Sequence, residues 1–225
     1  MKYIKKNGTE PKTLKEYRQT TPNAIYKGFI DTDQKLKKAL LKEQKYICAY
    51  CMRAIDLDTV SVEHYISQKK HKDSPYSIEK HKQLSLEYRN MLGVCVNNGE
   101  HCDKTRMNTP FRRLNPLKPE CEKLLTYSLS GRIRAITDNE DVSFDIELLK
   151  LNCDFLKNNR LTILEAAKNI FIKEHPRGTW TKKMLKKEAE KYRQPINRKG
   201  IAKFKPFCNY IAWYFNELSK SSKYP

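Results

Sequence analysis

Glycine is scarce in this chain, with seven residues in 225. None of them builds a G-x-x-x-x-G-K phosphate loop, so ATP hydrolysis by the chain itself is excluded. Long apolar runs are missing too. Nothing approaches the ~20 consecutive apolar residues that cross a bilayer, and neither a Trp- or Leu-rich lipid-binding helix nor a lipidation signal is present. The opening residues, Met1-Lys2-Tyr3-Ile4-Lys5-Lys6-Asn7, lack the apolar core of a secretory leader, so the expected location is the cytoplasm. There are no internal repeats. Acidic residues are in short supply: 26 against 45 lysines and arginines, a formal net charge of +19 and a pI near 9.6. A surplus of that size suits a polyanion, because Lys and Arg on phosphates release counterions.

What the chain does have is cysteine, seven in all. In a reducing compartment thiols bind metal or stay free. Cys48 and Cys51 form a C-x-x-C, and Cys95 and Cys102 form a second, wider pair. Four such thiolates can close a tetrahedral structural zinc site; the plainer alternative is buried thiols or a redox C-x-x-C. Cys121, Cys153 and Cys208 read as core thiols.

Between the pairs, Thr59 to Ile66 alternates β-branched and polar residues and predicts a short strand. Neighbours on a strand face opposite ways, which separates Glu63 from His64. A carboxylate suits a hard divalent cation, and an imidazole of near-neutral pKa suits proton transfer from water. The plainer alternative has His64 capping the strand and Glu63 in solvent.

Taken together, Cys-x-x-Cys, a strand ending in acid-His, Asn90 ahead of Cys95, and Cys102-Asp103 resemble the HNH (ββα-metal) nucleases. The resemblance implies that His64 is the general base, that Glu63 and Asp103 hold a catalytic Mg²⁺ or Mn²⁺, and that Asn90 orients the base. The four cysteines would hold a structural Zn²⁺. Glu63 stands where Asp is more usual, and Asp103 where His or Asn is; both still offer oxygen. His101 is a competing ligand. Flanking words carry the likeness further: Met1-Lys2-Tyr3-Ile4, Glu43-Gln44 before Ile47-Cys48-Ala49-Tyr50-Cys51, Tyr127 to Ile136 around Gly131, and Leu148 to Arg160. These resemble the PtuB subunit of Septu-type anti-phage systems, also an effector of some retrons. That branch implies a PtuA-like ATPase partner and, through it, a retron reverse transcriptase and its msDNA.

The expected fold class is α+β, a zinc-stabilised ββα core surrounded by helices with a basic helical C-terminal extension. Residues 1–30 read as an arm that packs on the body, with a helical turn near Leu14 to Tyr17. Residues 31–165 read as the nuclease core, opening with a helix from Asp31 to about Gln44. Residues 67 to 86 are an insertion with a short helix, in which Lys69 and Lys70 are expected phosphate contacts and His71 and His81 surface residues. Lys104 and Arg106 after the second cysteine pair are expected to point towards phosphate. Leu124 to Ile136 predicts a hairpin, and Phe144 to Leu156 and Leu161 to Ile172 predict helices. Residues 166–225 hold a basic helix, Thr181 to Tyr192, a basic run through Arg198, and an aromatic helix, Phe207 to Leu218, expected to receive nucleic acid or the ATPase. The expected activity is metal-dependent cleavage of DNA or RNA; the alternative is a zinc-finger adaptor that binds nucleic acid without cutting it.

Overall fold

The computed structural model describes residues 1–7, 9–97, 99–176 and 178–225, with the side chain of Arg198 left aside, so that member of the basic run lies outside the described side chains. In chain order the elements are α1 (Lys12–Thr20), α2 (Lys35–Glu43), β1 (Val60–His64), α3 (Ile78–Ser85), β2 (Met91–Cys95), α4 (Asp103–Arg106), β3 (Leu125–Tyr127), β4 (Ile133–Ala135), α5 (Glu140–Leu148), α6 (Asp154–Glu174), α7 (Lys182–Arg193), β5 (Ile196–Arg198), β6 (Ile201–Lys203) and α8 (Cys208–Ser219). The three sheets are antiparallel hairpins, β1–β2, β3–β4 and β5–β6. This is the α+β class that the sequence implies. Among the described residues no helix is long and apolar enough to cross a membrane.

Four of the helices, α2, α3, α5 and α7, start where short polar side chains take the first free N–H groups. The Asp31 carboxylate accepts from the N–H of Leu36 at 2.7 Å and of Lys37 at 3.2 Å, ahead of α2. Ser77, Asn139 and Thr181 cap α3, α5 and α7 in the same way. The 67–86 insertion is a loop carrying α3, as expected.

β2 is buried along its whole length because it lies between two apolar clusters. Leu92, Val94 and Cys95 join the larger cluster, while Met91 joins a smaller one with Leu14, Leu36, Leu40, Leu86 and Tyr88. Its register with β1 sets Glu63 opposite Leu92 and His64 opposite Met91. Gln44 tethers α2 to the strand: its amide accepts from Gly93 N–H at 2.6 Å and donates to Gly93 C=O at 2.7 Å. A side chain at Gly93 would press on Val60 at 3.1 Å and on the Gln44 amide at 3.4 Å.

The N-terminal arm packs as expected. Ile4 N–H donates to Pro116 C=O at 2.8 Å, and a largely buried Lys6–Glu43 pair at 2.8 Å pins the arm to α2. The far end of the chain differs from expectation. α6 runs unbroken through residue 165, and the larger buried cluster includes residues from Met1 to Phe215. α8 turns much of its apolar surface inward, with Trp213 and Tyr214 half-buried. Tyr210, Ile211, Ala212 and Phe215 are buried, and Phe215 meets Phe171 and Tyr192 at ring-centroid distances of 5.0 and 6.1 Å. A helix apolar over so much of its circumference is driven inside.

Candidate active site and metal centre

The four cysteines come together. Their sulfurs lie within 4.8 Å of one another, all buried, and among the described residues they are the only group of three or more metal-ligating side chains that does so. Cys51–Cys95, Cys95–Cys102 and Cys48–Cys102 are separated by 3.6, 3.8 and 3.9 Å. A tetrahedral zinc with bonds of about 2.3 Å sets its sulfurs about 3.8 Å apart, so the cage has the size of that ion. Local turns build it. Cys48 N–H donates to Arg53 C=O at 2.8 Å, Met52 N–H to Cys48 C=O at 3.1 Å, and Ile47 pairs with Ala54 below. Cys95 ends β2. Cys102 precedes α4 at φ 62°, ψ −135°, a conformation that costs a side chain about 1–3 kcal/mol and is held by Cys102 N–H on Leu149 C=O at 2.9 Å.

His101 belongs to this centre and not to the acidic residues. Its Nδ1 lies 3.1 Å from Cys102 Sγ, and its ring stacks on Phe155 at 5.9 Å. Arg160 is buried without an ion pair among the described residues, its guanidinium donating to Gly131 and Leu151 carbonyls at 2.8 and 2.7 Å, and it interacts electrostatically with Cys51. A four-thiolate zinc carries two net negative charges, and this cation is placed to offset part of them.

Beside the thiols, Glu63 leaves β1 on one side and His64 on the other. The Glu63 Oε1 accepts from Arg106 Nη2 at 2.7 Å, Arg106 Nε at 3.0 Å and Tyr50 Oη at 3.2 Å. Burial raises the pKa of this carboxyl; Arg106 opposes the shift and nearby Asp103 adds to it. The pKa of Asp103, in the first turn of α4, is raised by burial as well, and its Oδ1 is buried with no hydrogen-bond partner among the described residues. Glu63, His64 and Asp103 do not converge as the thiols do.

His64 is 2% exposed. Its Nε2 lies 2.9 Å from Ser85 C=O, and a carbonyl only accepts, so Nε2 carries the proton. Nδ1 is then bare and receives the Gln68 amide at 3.3 Å, while Tyr26 stands edge-on at 4.5 Å. Burial lowers the ring's pKa to about 4, away from the near-neutral value the residue type suggests. Among the described residues Asn90 makes no hydrogen bond to the imidazole. Its amide accepts from Ile66 N–H at 2.8 Å and donates to Ile66 C=O at 2.9 Å, fixing the chain two residues past His64.

Of the expected phosphate contacts, Lys69, Lys70 and Lys104 are exposed. Arg106 is a correction: it is 1% exposed and saturated by internal acceptors. Its partner Glu63 lies 43 positions away, beyond any local pattern. His81 is a second correction. It is buried, bonded to Ser67 C=O and to Ser74 Oγ, because the insertion folds back on the end of β1. Tyr50, Gln68, Ser85 and Arg160 were not singled out by sequence. Only Tyr50, inside the C-x-x-C, carried any signal.

Fold and site thus define an α+β protein with a buried four-thiol centre fit for zinc. No protein-family profile matches the chain. It is 28% identical, over 209 residues covering 73% of this chain and 79% of the other, to an Escherichia coli protein named "Retron Ec83 putative HNH endonuclease".

Proposed function

We propose that the chain is a metal-dependent HNH-type endonuclease. The observation that carries this reading is the buried Oδ1 of Asp103, without a hydrogen-bond partner among the described residues, near the Glu63 carboxyl of β1, whose last residue, His64, is a neutral histidine with an unprotonated ring nitrogen facing the Gln68 amide. Two neighbouring acids, one with an orphaned oxygen, fit a hard divalent cation, Mg²⁺ or Mn²⁺. Bound there, the ion would supply Lewis-acid stabilisation of phosphate charge. His64 Nδ1 accepts the proton of the attacking water. Asn90 holds the backbone that aims this ring, and Arg106 fixes Glu63. The four thiolates hold Zn²⁺ and brace a unit with little core of its own.

The relative's name, a retron putative HNH endonuclease, supports the nuclease reading, and in this reading the chain is the effector of a bacterial anti-phage system and acts on DNA or RNA. In this reading a PtuA-like ATPase restrains or licenses the nuclease, and a retron reverse transcriptase with its msDNA reaches it through that complex. One observation favours the adaptor reading instead: Glu63 is already neutralised by Arg106. Incubating plasmid and cellular RNA with the protein, with and without Mg²⁺ or Mn²⁺, separates the two. Cleavage with metal, and a loss of at least ~100-fold in His64→Ala with the fold retained, is expected for the enzyme. Wild-type cutting by His64→Ala would defeat the mechanism.

A further inference from the structure

Immediately beyond His64 the chain lines a cavity of about 180 Å³. Tyr65 and Phe111 form one wall, stacked at 5.3 Å with their planes 7° apart. Tyr76, 39% exposed, stands at its mouth, edge-on to His81 at 6.2 Å. Asn108 is among the lining residues, and its side-chain amide makes no hydrogen bond among the described residues. A cavity of about 150 Å³ is known to accept benzene, so this one has room for a single planar ring system and none for a base pair.

The cavity is built by the same residues that hold the proposed site. Ile66, part of its lining, is the residue pinned by Asn90. Arg106 bonds the carbonyls of His64 and Tyr65 and lies 4.7 Å from the centre of the Phe111 ring. Exposed Lys69 and Lys70 follow Ser67, which also lines the cavity. Aromatic walls, an unengaged amide and flanking lysines match the three parts of a nucleotide: a base face to stack on, a base edge with donor and acceptor, and a phosphate.

The geometry points to a pocket for one unpaired nucleobase beside the cleaved phosphate, which makes the substrate single-stranded nucleic acid. A duplex would have to extrude a base to enter it, at an unstacking cost. Tyr76 stacks on the base, and Asn108 reads its edge. This inference rests on the nuclease reading above.

The test uses the full chain with one oligonucleotide sequence, as DNA and as RNA, single-stranded and duplexed. The single strand is expected to be cut at least ~10-fold faster than the duplex. Tyr76→Ala and Asn108→Ala each should slow single-strand cutting by at least ~10-fold and so narrow its lead over the duplex, with Tyr76→Phe restoring it because the ring face remains. Binding of 2-aminopurine-labelled single strands to His64→Asn gives a readout without cleavage: quenching at one position, lost in the Tyr76→Ala background. Equal cutting of both forms by wild type and Tyr76→Ala, or no position-specific quenching, overturns the pocket and leaves the nuclease reading standing. Position-specific quenching with no cleavage by wild type under Mg²⁺ or Mn²⁺ defeats the nuclease reading and leaves a nucleobase-binding pocket.

Discussion

Arg106 spends every donor it has inside the protein. A guanidinium carries five N–H groups, and here they meet Glu63 Oε1 and the carbonyls of His64, Tyr65 and Thr109. The end of β1 and the residues after α4 are therefore tied at one planar fork, and the end of β1 cannot shift without breaking it. Lysine, a point charge, cannot reproduce the fork. Arg106→Ala leaves Glu63 buried without its partner and is expected to cost about 3–5 kcal/mol of stability, read as a lowered denaturant midpoint at unchanged slope. Weakened nucleic-acid binding at wild-type stability would instead return Arg106 to the surface role its residue type suggests. Sequence could not supply this assignment. An arginine two residues from a lysine in a basic chain looks like a phosphate contact until Glu63, His64 and Tyr65, more than forty positions upstream, are brought to it by the fold.

Among the elements, the β1–β2 hairpin and α4 depend most on the thiol centre. α4 is a single turn of four residues, too short to persist in isolation. Its start is set by Cys102, whose strained backbone is tolerable only if the sulfur is held. Removing the ion with a strong chelator, or replacing Cys48 with Ser, is expected to release one zinc per chain and collapse the near-ultraviolet circular dichroism of the Tyr50–Phe111 region, because metal binding here is part of the folding energy. Purified protein with no zinc by elemental analysis would reject the centre. The C-x-x-C turn was legible in the sequence because its ligands lie on one local turn. The wide Cys95–Cys102 gap was legible as a pair, but not the manner of its closure, which needs Leu149 from a distant segment.

At the scale of the whole molecule, the positive surplus shows on the exposed lysines of α7, Lys183, Lys186, Lys187 and Lys191, while the apolar side of the last third is folded into the common core. Asn209, in α8, donates to Met1 C=O at 2.9 Å and to Glu122 at 3.2 Å, joining the two ends of the chain. Deleting residues 206–225 is therefore expected to strip the cover from Phe171 and Tyr192 and abolish cooperative unfolding. A truncated protein with wild-type melting behaviour would mean that α8 is an appendage. Sequence pattern alone placed α7 and α8 within a residue or so and found the hairpin at Gly131, since caps, turn residues and helical spacing are local signals. The pattern of rings along α8 could not say whether they face a partner or the protein's own core, because that depends on which surfaces remain apolar once the rest has folded.

By itself, then, the sequence determined the strand at Val60–His64, the hairpin around Gly131, the helices α7 and α8 and the two cysteine pairs fit for zinc, all of which reside in residue type and short spacing, while the β5–β6 hairpin was hidden in a basic run. Tertiary structure alone decided which charges are neutralised indoors, that Asn90 grips backbone and not imidazole, and that His64 is desolvated. Those outcomes turn on distance and exclusion of water between segments far apart in the chain, quantities that no local pattern encodes.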